Sequence, residues 1–229
     1  MKEGFIIKVN WIMLKKPILD NLYLLGVKEP KAFYRKVRVA YASEIQTLPD
    51  FRKNDVLKLN LAHAVMLGAI YEQCDPKPDI DSLTKFYHDF VMQPKVIRFF
   101  LARSQMLRTS NVKHEVKQGC KSQKATHPYT WQYTVTVEDK DRFTATFTKC
   151  GIYEYMKSRG MAEIVPAMCA LDYTFGEEGN HIFLRKQTIA TGGTVCDCHY
   201  VRKFSATPEE IAESAEDKRK EALRGGRSK

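Results

Sequence analysis

Apolar residues follow two different rhythms along this chain. Up to about residue 107 they recur every three or four positions, the period of a helix; beyond residue 127 strict alternation enters, the period of a strand. In the first half, Pro17 and Gly26 bracket a short predicted helix, a common start-and-stop pair. A second is expected from about Pro30 to Ile45, where Phe33, Val37, Tyr41 and Ile45 stand four apart. Asn54 is expected to cap a third, with Asp55 in its first turn. That helix carries Leu57, Leu61, Ala64, Val65 and Ile70, is apolar nearly all round, and is expected to be buried. The run Cys74-Asp75-Pro76-Lys77-Pro78 breaks it. Leu83, Phe86, Tyr87, Phe90 and Val91 then give the clearest helical period, and another helix is expected from Lys95 to about Leu107. The polar, lysine-rich stretch from Ser110 to Thr126 reads as a connection between two layers.

In the second half, Trp131, Tyr133, Val135 and Val137 alternate with polar residues, as do Phe143, Ala145 and Phe147, which predicts a hairpin turning at Glu138–Asp141. A helical stretch is expected from about Gly151 to Phe175, interrupted near Gly160 and cleanest from Val165 because of Pro166. A second strand pair is expected at His181 to Ala190 and Thr194 to Arg202, with the turn at Thr191-Gly192-Gly193. Strand, strand, helices, strand, strand implies an α+β fold, with an antiparallel sheet following an N-terminal helical layer. Three regions are expected: a helical layer over 1–110, an α+β half of catalytic type over 127–203, and a charged tail over 204–229. The tail opens with a capping box, Thr207-Pro208-Glu209-Glu210, and continues as a solvated, fraying helix.

Composition narrows the function classes. No stretch of about 18 or more apolar residues exists, so no membrane span is expected. The N-terminal apolar run is broken by Lys8 and Asn10 and lacks a cleavage site, so the expected compartment is the cytoplasm. Cys74, Cys120, Cys150, Cys169, Cys196 and Cys198 are then expected to be reduced thiols. The net charge of +10 lies largely in the polar connection and the tail, and no nucleic-acid motif accompanies it, so nucleic acid is not an expected partner.

Four groupings could carry chemistry. Cys169 and Asp172 stand three apart on a predicted helix, and a thiol and a carboxylate on one face suit nucleophilic and acid–base work; a buried cysteine beside an exposed aspartate is the plainer alternative. In the run Gln187–His199, strand geometry points Thr194, Cys196, Cys198 and Tyr200 to one face and Val195, Asp197, His199 and Val201 to the other. Gly192 and Gly193 permit positive φ and close ligand approach; an ordinary glycine hairpin over a cysteine-filled core is the alternative. Cys196, Cys198 and His199 also resemble soft metal ligands, although no second close pair completes a site. Cys150, at a strand-to-helix junction, could have its pKa lowered by the helix N-terminus. Arg185 could clamp a substrate carboxylate or simply lie on the surface. The histidines are scattered, and His63, inside an apolar helix, reads as a satisfied core residue.

Taken together, Cys150-Gly151-Ile152-Tyr153, Met168-Cys169-Ala170-Leu171-Asp172-Tyr173 and Arg185-Lys186-Gln187-Thr188-Ile189-Ala190-Thr191-Gly192-Gly193-Thr194-Val195-Cys196-Asp197 resemble the L-2-amino-thiazoline-4-carboxylic acid hydrolase family. The helical first half, including Asn54–Asn60, is similar as well, so that the likeness covers most of residues 15 to 202. The closing strand is also similar to small-molecule-binding domains of the vinyl-reductase type. One position departs: Cys198 stands where the family usually has an aromatic residue. The resemblance implies a hydrolase that opens a cyclic amidine ring bearing a carboxylate and yields a carbamoyl-cysteine. It implies Cys169, Asp172 and Cys196 as catalytic residues, with Cys150, Arg185, Thr188, Gly192 and Gly193 around the substrate. No cofactor and no obligatory metal is expected. Two rival readings stay open, a non-catalytic binding or sensor module and a metal-binding regulator using Cys196, Cys198 and His199.

Overall fold

The computed structural model describes residues 1, 4–51 and 57–224, with side chains up to residue 219. The expected cap at Asn54 and Asp55 therefore lies outside the described residues, as do the last residues of the tail. The first helix, α1, covers Phe5–Asn21 and not a segment starting at Pro17. Ile7, Trp11, Leu14 and Ile18 give it a buried stripe at helical spacing. Pro17 lies inside it, where a proline forfeits one ladder bond. Asn21 Nδ2 donates to the Pro17 carbonyl (2.8 Å) and to Gln93 Oε1 (2.8 Å), tying this end of α1 down. Gly26, in the left-handed region at φ 70°, stops the short 3₁₀ turn that follows.

Helices α2 (Pro30–Thr47), α3 (Leu57–Gln73) and α4 (Ile80–Met92) follow the predicted periods. Asp79 caps α4, its carboxylate accepting from the Ser82 N–H (2.7 Å). Helix α5 (Lys95–Ala102) ends five residues before the expected Leu107. The stretch read as a connection is mostly a helix, α6 (Thr109–Ser122). Its apolar positions are too few to form a stripe, and Gly119 is buried instead, against the Tyr133 backbone. Ser122 Oγ donates to Tyr133 O (3.1 Å) and accepts from Tyr133 N (3.0 Å), so α6 docks on the sheet by hydrogen bonds that periodicity does not register.

Strands β1 (Gln132–Val137) and β2 (Arg142–Lys149) form the predicted hairpin. Then come α7 (Gly151–Ser158), α8 (Val165–Cys169) and α9 (Leu171–Glu178), with the expected interruption after α7. Strands β3 (His181–Leu184) and β4 (Cys196–Arg202) complete an antiparallel sheet of order β1-β2-β4-β3. The β3–β4 connection is wider than a glycine hairpin. Asp197 Oδ1 accepts the N–H groups of Lys186 (3.1 Å) and Gln187 (2.9 Å), which ends β3 early and folds 189–191 into a 3₁₀ turn.

The fold is α+β, as expected. One core joins α1–α4 to Tyr155, Met156, Val165, Ala167 and Leu171; a second lies under the inner face of the sheet. The tail is a docked helix, α10 (Pro208–Arg224), more than a solvated one. Its capping box forms, Thr207 N donating to Glu210 Oε2 (2.8 Å) and Glu210 N to Thr207 Oγ1 (3.3 Å). Ser214 Oγ then donates to Phe183 O on edge strand β3 (2.6 Å). No helix among the described residues is long and apolar enough to cross a membrane.

At the β2–α7 junction the chain passes itself closely. A Cβ on Gly151 would sit 2.7 Å from the Tyr129 carbonyl carbon and 2.9 Å from the Trp131 ring. Gly151→Ala is therefore expected to destabilise by about 3 kcal/mol, the upper end for overpacking, read from urea unfolding.

Candidate active site

The candidate residues come from the start of α7, the α8–α9 turn, the end of β3 and the inner face of β4. Arg185 holds them in relation to one another. Its side chain is 3 % exposed, against the surface position left open by the sequence. Nη1 donates to Asp172 Oδ2 (2.7 Å) and Nη2 to the Cys169 carbonyl (2.9 Å), so one guanidinium fixes both members of the Cys169–Asp172 pair. The guanidinium also lies over the Tyr173 and Phe183 rings, 5.5 and 5.1 Å from their centroids. Asp172 is different: its side chain is 44 % exposed, held on one side by Arg185 and reached by solvent on the other. Enclosure raises its pKa, and Arg185 draws it part of the way back.

The other groups gather around this carboxylate. Loss of water pushes the Cys150 thiol up to about 12, with the Asp172 charge adding a smaller push. The Ile152 and Tyr153 amides at the start of α7 pull the other way, and they lose. The lowering anticipated from the helix N-terminus is thus overturned by desolvation. Cys198 is raised by the same loss of water, eased by Arg185 and reinforced by Asp172. Tyr87 and Tyr200 are raised by burial, and both feel the Asp172 charge.

Cys196 is engaged in structure. Its thiol donates to Thr188 Oγ1 (3.4 Å), and its sulfur accepts the Ile189 N–H (3.3 Å). Thr188 is 1 % exposed, and its carbonyl accepts the Gly193 N–H (2.9 Å). Gly192 takes the anticipated positive φ, at 90°, with open space where a Cβ would be. Gly193 is required by the loop itself, because a Cβ there would lie 2.9 Å from Thr188 O.

Cys196, Cys198 and Tyr200 face inward with Phe143 and Phe183, whereas Val201 faces outward with Ile182 and Leu184. His199 pairs across the outer face with Thr144 (2.8 Å) and Glu138 (3.4 Å). The metal reading is thereby corrected: alternation along β4 sends His199 away from the two thiols, and no group of three potential ligands assembles among the described residues.

Two contributors were seen in the sequence only as core. His63 Nε2 accepts from Asn10 Nδ2 (2.6 Å), its Nδ1 lies 3.4 Å from the Tyr87 hydroxyl, and burial lowers its pKa to about 4, so it is neutral at neutral pH. It is a satisfied core histidine, as read, but it also braces Tyr87 beside Asp172. The available signal was a tyrosine in a buried stripe, since its hydroxyl must find a partner.

The structure thus brings an arginine-held carboxylate, Asp172, within electrostatic reach of the thiols of Cys150 and Cys198 in an α+β fold. The sequence model of the L-2-amino-thiazoline-4-carboxylic acid hydrolase family matches residues 60–200, and the chain belongs to that family. Comparison with curated proteins and with solved structures finds no match, so the expected likeness to vinyl-reductase-type domains has no support there.

Asp172→Ala removes the carboxylate that meets the buried Arg185 guanidinium at 2.7 Å. It is expected to cost about 2 kcal/mol, below the usual figure for a broken buried pair because water reaches one side of Asp172. Replacing both partners, Arg185→Met with Asp172→Leu, is expected to recover most of the loss in the same urea titration.

Proposed function

We propose that this protein is a hydrolase opening a 2-amino-thiazoline-4-carboxylate-like cyclic amidine to a carbamoyl-cysteine. The observation that carries the reading is the Asp172 carboxylate, anchored on one side by Arg185 at 2.7 Å and open on the other, in a chain of this family. The reacting carbon lies between sulfur and two nitrogens. Opening it requires a nucleophile on that carbon and a proton on a nitrogen. Cys169, or a water it positions, attacks; Asp172 handles the proton. When the ring C–S bond breaks, the sulfur leaves as the product thiol; if Cys169 attacked, water then displaces its sulfur from the same carbon and restores the thiol, and on either route the water oxygen becomes the carbamoyl oxygen.

Arg185, buried behind Asp172, orients that carboxylate and the Cys169 carbonyl and so acts as a positioning residue. Thr188 and the Gly192-Gly193 turn form the loop wall, and Cys196 holds that loop while facing the pocket. Cys150 contributes a protonated thiol. The raised pKa of Asp172 favours a carboxylic acid able to donate closer to neutral pH than an exposed aspartate.

Incubation with 2-amino-thiazoline-4-carboxylate is expected to release titratable thiol; binding without release would identify a binding module instead. Cys169→Ser is expected to lower turnover about 10³-fold or more if its sulfur attacks. Unchanged turnover rules it out as nucleophile. Asp172→Asn is expected to cost about 10²–10⁴-fold. If the acid form of Asp172 donates the proton, kcat/KM falls as pH rises through its raised pKa, and the Asn variant lacks that limb.

A further inference from the structure

A recess of about 350 Å³ opens on the far side of the α8–α9 segment from Asp172. Ala167, Ala170, Leu171 and Thr174 recur along one face of that segment and form its floor, while Cys169 and Asp172 occupy the reverse face of the same turns. One wall is the polar stripe of α4, with Asp81, Lys85 and His88, the stripe that leaves Leu83, Phe86 and Phe90 for the core. Lys218 and Arg219 of α10 close the rim.

Three features point to an occupant. The floor is apolar except for Thr174, which is 5 % exposed and whose hydroxyl has no hydrogen-bond partner. Around that floor Lys85, Lys218 and Arg219 stand with one carboxylate, Asp81, their carbon stems lining the recess and their charges at its edge. Lys85 and Lys218 are each bonded to an acid, Asp89 (2.7 Å) and Glu177 (2.8 Å), whereas Arg219 is exposed and makes no ion pair among the described residues. The volume falls within the range of small-molecule sites, roughly 300–1,000 Å³.

We propose that this recess is a second ligand site, taking a small amphipathic carboxylate whose apolar body lies on Ala167, Ala170 and Leu171 and whose carboxylate meets Arg219 and Lys218. The site does not depend on the hydrolase reading, yet it adjoins that machinery. Its floor carries Cys169 and Asp172 on the other face, and Asp217, next to Lys218, accepts the Arg185 backbone N–H (3.5 Å). A ligand drawing α10 inward therefore bears on the position of Arg185, and the coupling is reciprocal.

The test is calorimetric titration of the full chain with octanoate, with acetate as the control lacking an apolar body. Saturable octanoate binding is expected, weakened at least tenfold by Lys218→Glu with Arg219→Glu and again by Ala170→Phe, which fills the floor. Acetate is expected not to bind. The charge-reversed variant lies on the rim and keeps the test decisive if Ala170→Phe fails to fold. Absence of saturable binding, octanoate affinity unchanged in the charge-reversed variant, or equal affinity for acetate overturns the proposal.

Discussion

A guanidinium with 3 % of its surface exposed must find its partners inside the protein, and where Arg185 finds them sets the relation of helix to sheet in the second half. Its side chain spans from the end of β3 to the α8–α9 turn, and its backbone N–H reaches α10. Three elements are thereby tied together by one residue, beside the Tyr173–Phe183 ring contact that joins α9 to β3. A buried ion pair of this kind contributes modestly to net stability and strongly to specificity of arrangement. Here the arrangement is a carboxylate fixed from behind and accessible from the front.

The sheet that supports this arrangement has edges closed by side-chain chemistry. At one edge, Ser122 of α6 exchanges hydrogen bonds with both backbone groups of Tyr133; at the other, Ser214 of α10 bonds to Phe183. Both helices are polar over most of their surface, so hydrophobic burial alone does not account for their docking. With the edges occupied, the inner face is left to Tyr133, Phe143, Phe183 and Tyr200 and to the two thiols of β4. The Arg185–Asp172 pair sits where that face meets the helices of the first core.

Much of this was legible in the chain. Period-2 alternation located the first hairpin, and the Leu83–Val91 stripe located α4, because in both a single face is buried and the pattern has no competitor. Alternation along β4 correctly separated Cys196 and Cys198 from His199. What escaped has physical causes. Pro17 hid α1, since the helix end beyond it is held by Asn21, which bonds locally to the Pro17 carbonyl and at long range to Gln93. Helix α6 carries no stripe because glycine and serine dock it. The true end of β3 depends on the Asp197 carboxylate, which acts from ten residues away. Tyr87 could not be ranked as a site residue, and Arg185, named as a substrate clamp, could not be placed behind Asp172, because burial of a polar group is decided by elements that meet only in three dimensions.

The enclosure that raises the thiols of Cys150 and Cys198 has a consequence for durability. Peroxide and similar oxidants attack sulfur as the thiolate, so a sulfur held protonated in a water-poor niche enters the sulfenic-acid ladder slowly. A pocket can in this way keep several cysteines close together in an oxidatively stressed cell while losing few of them to over-oxidation.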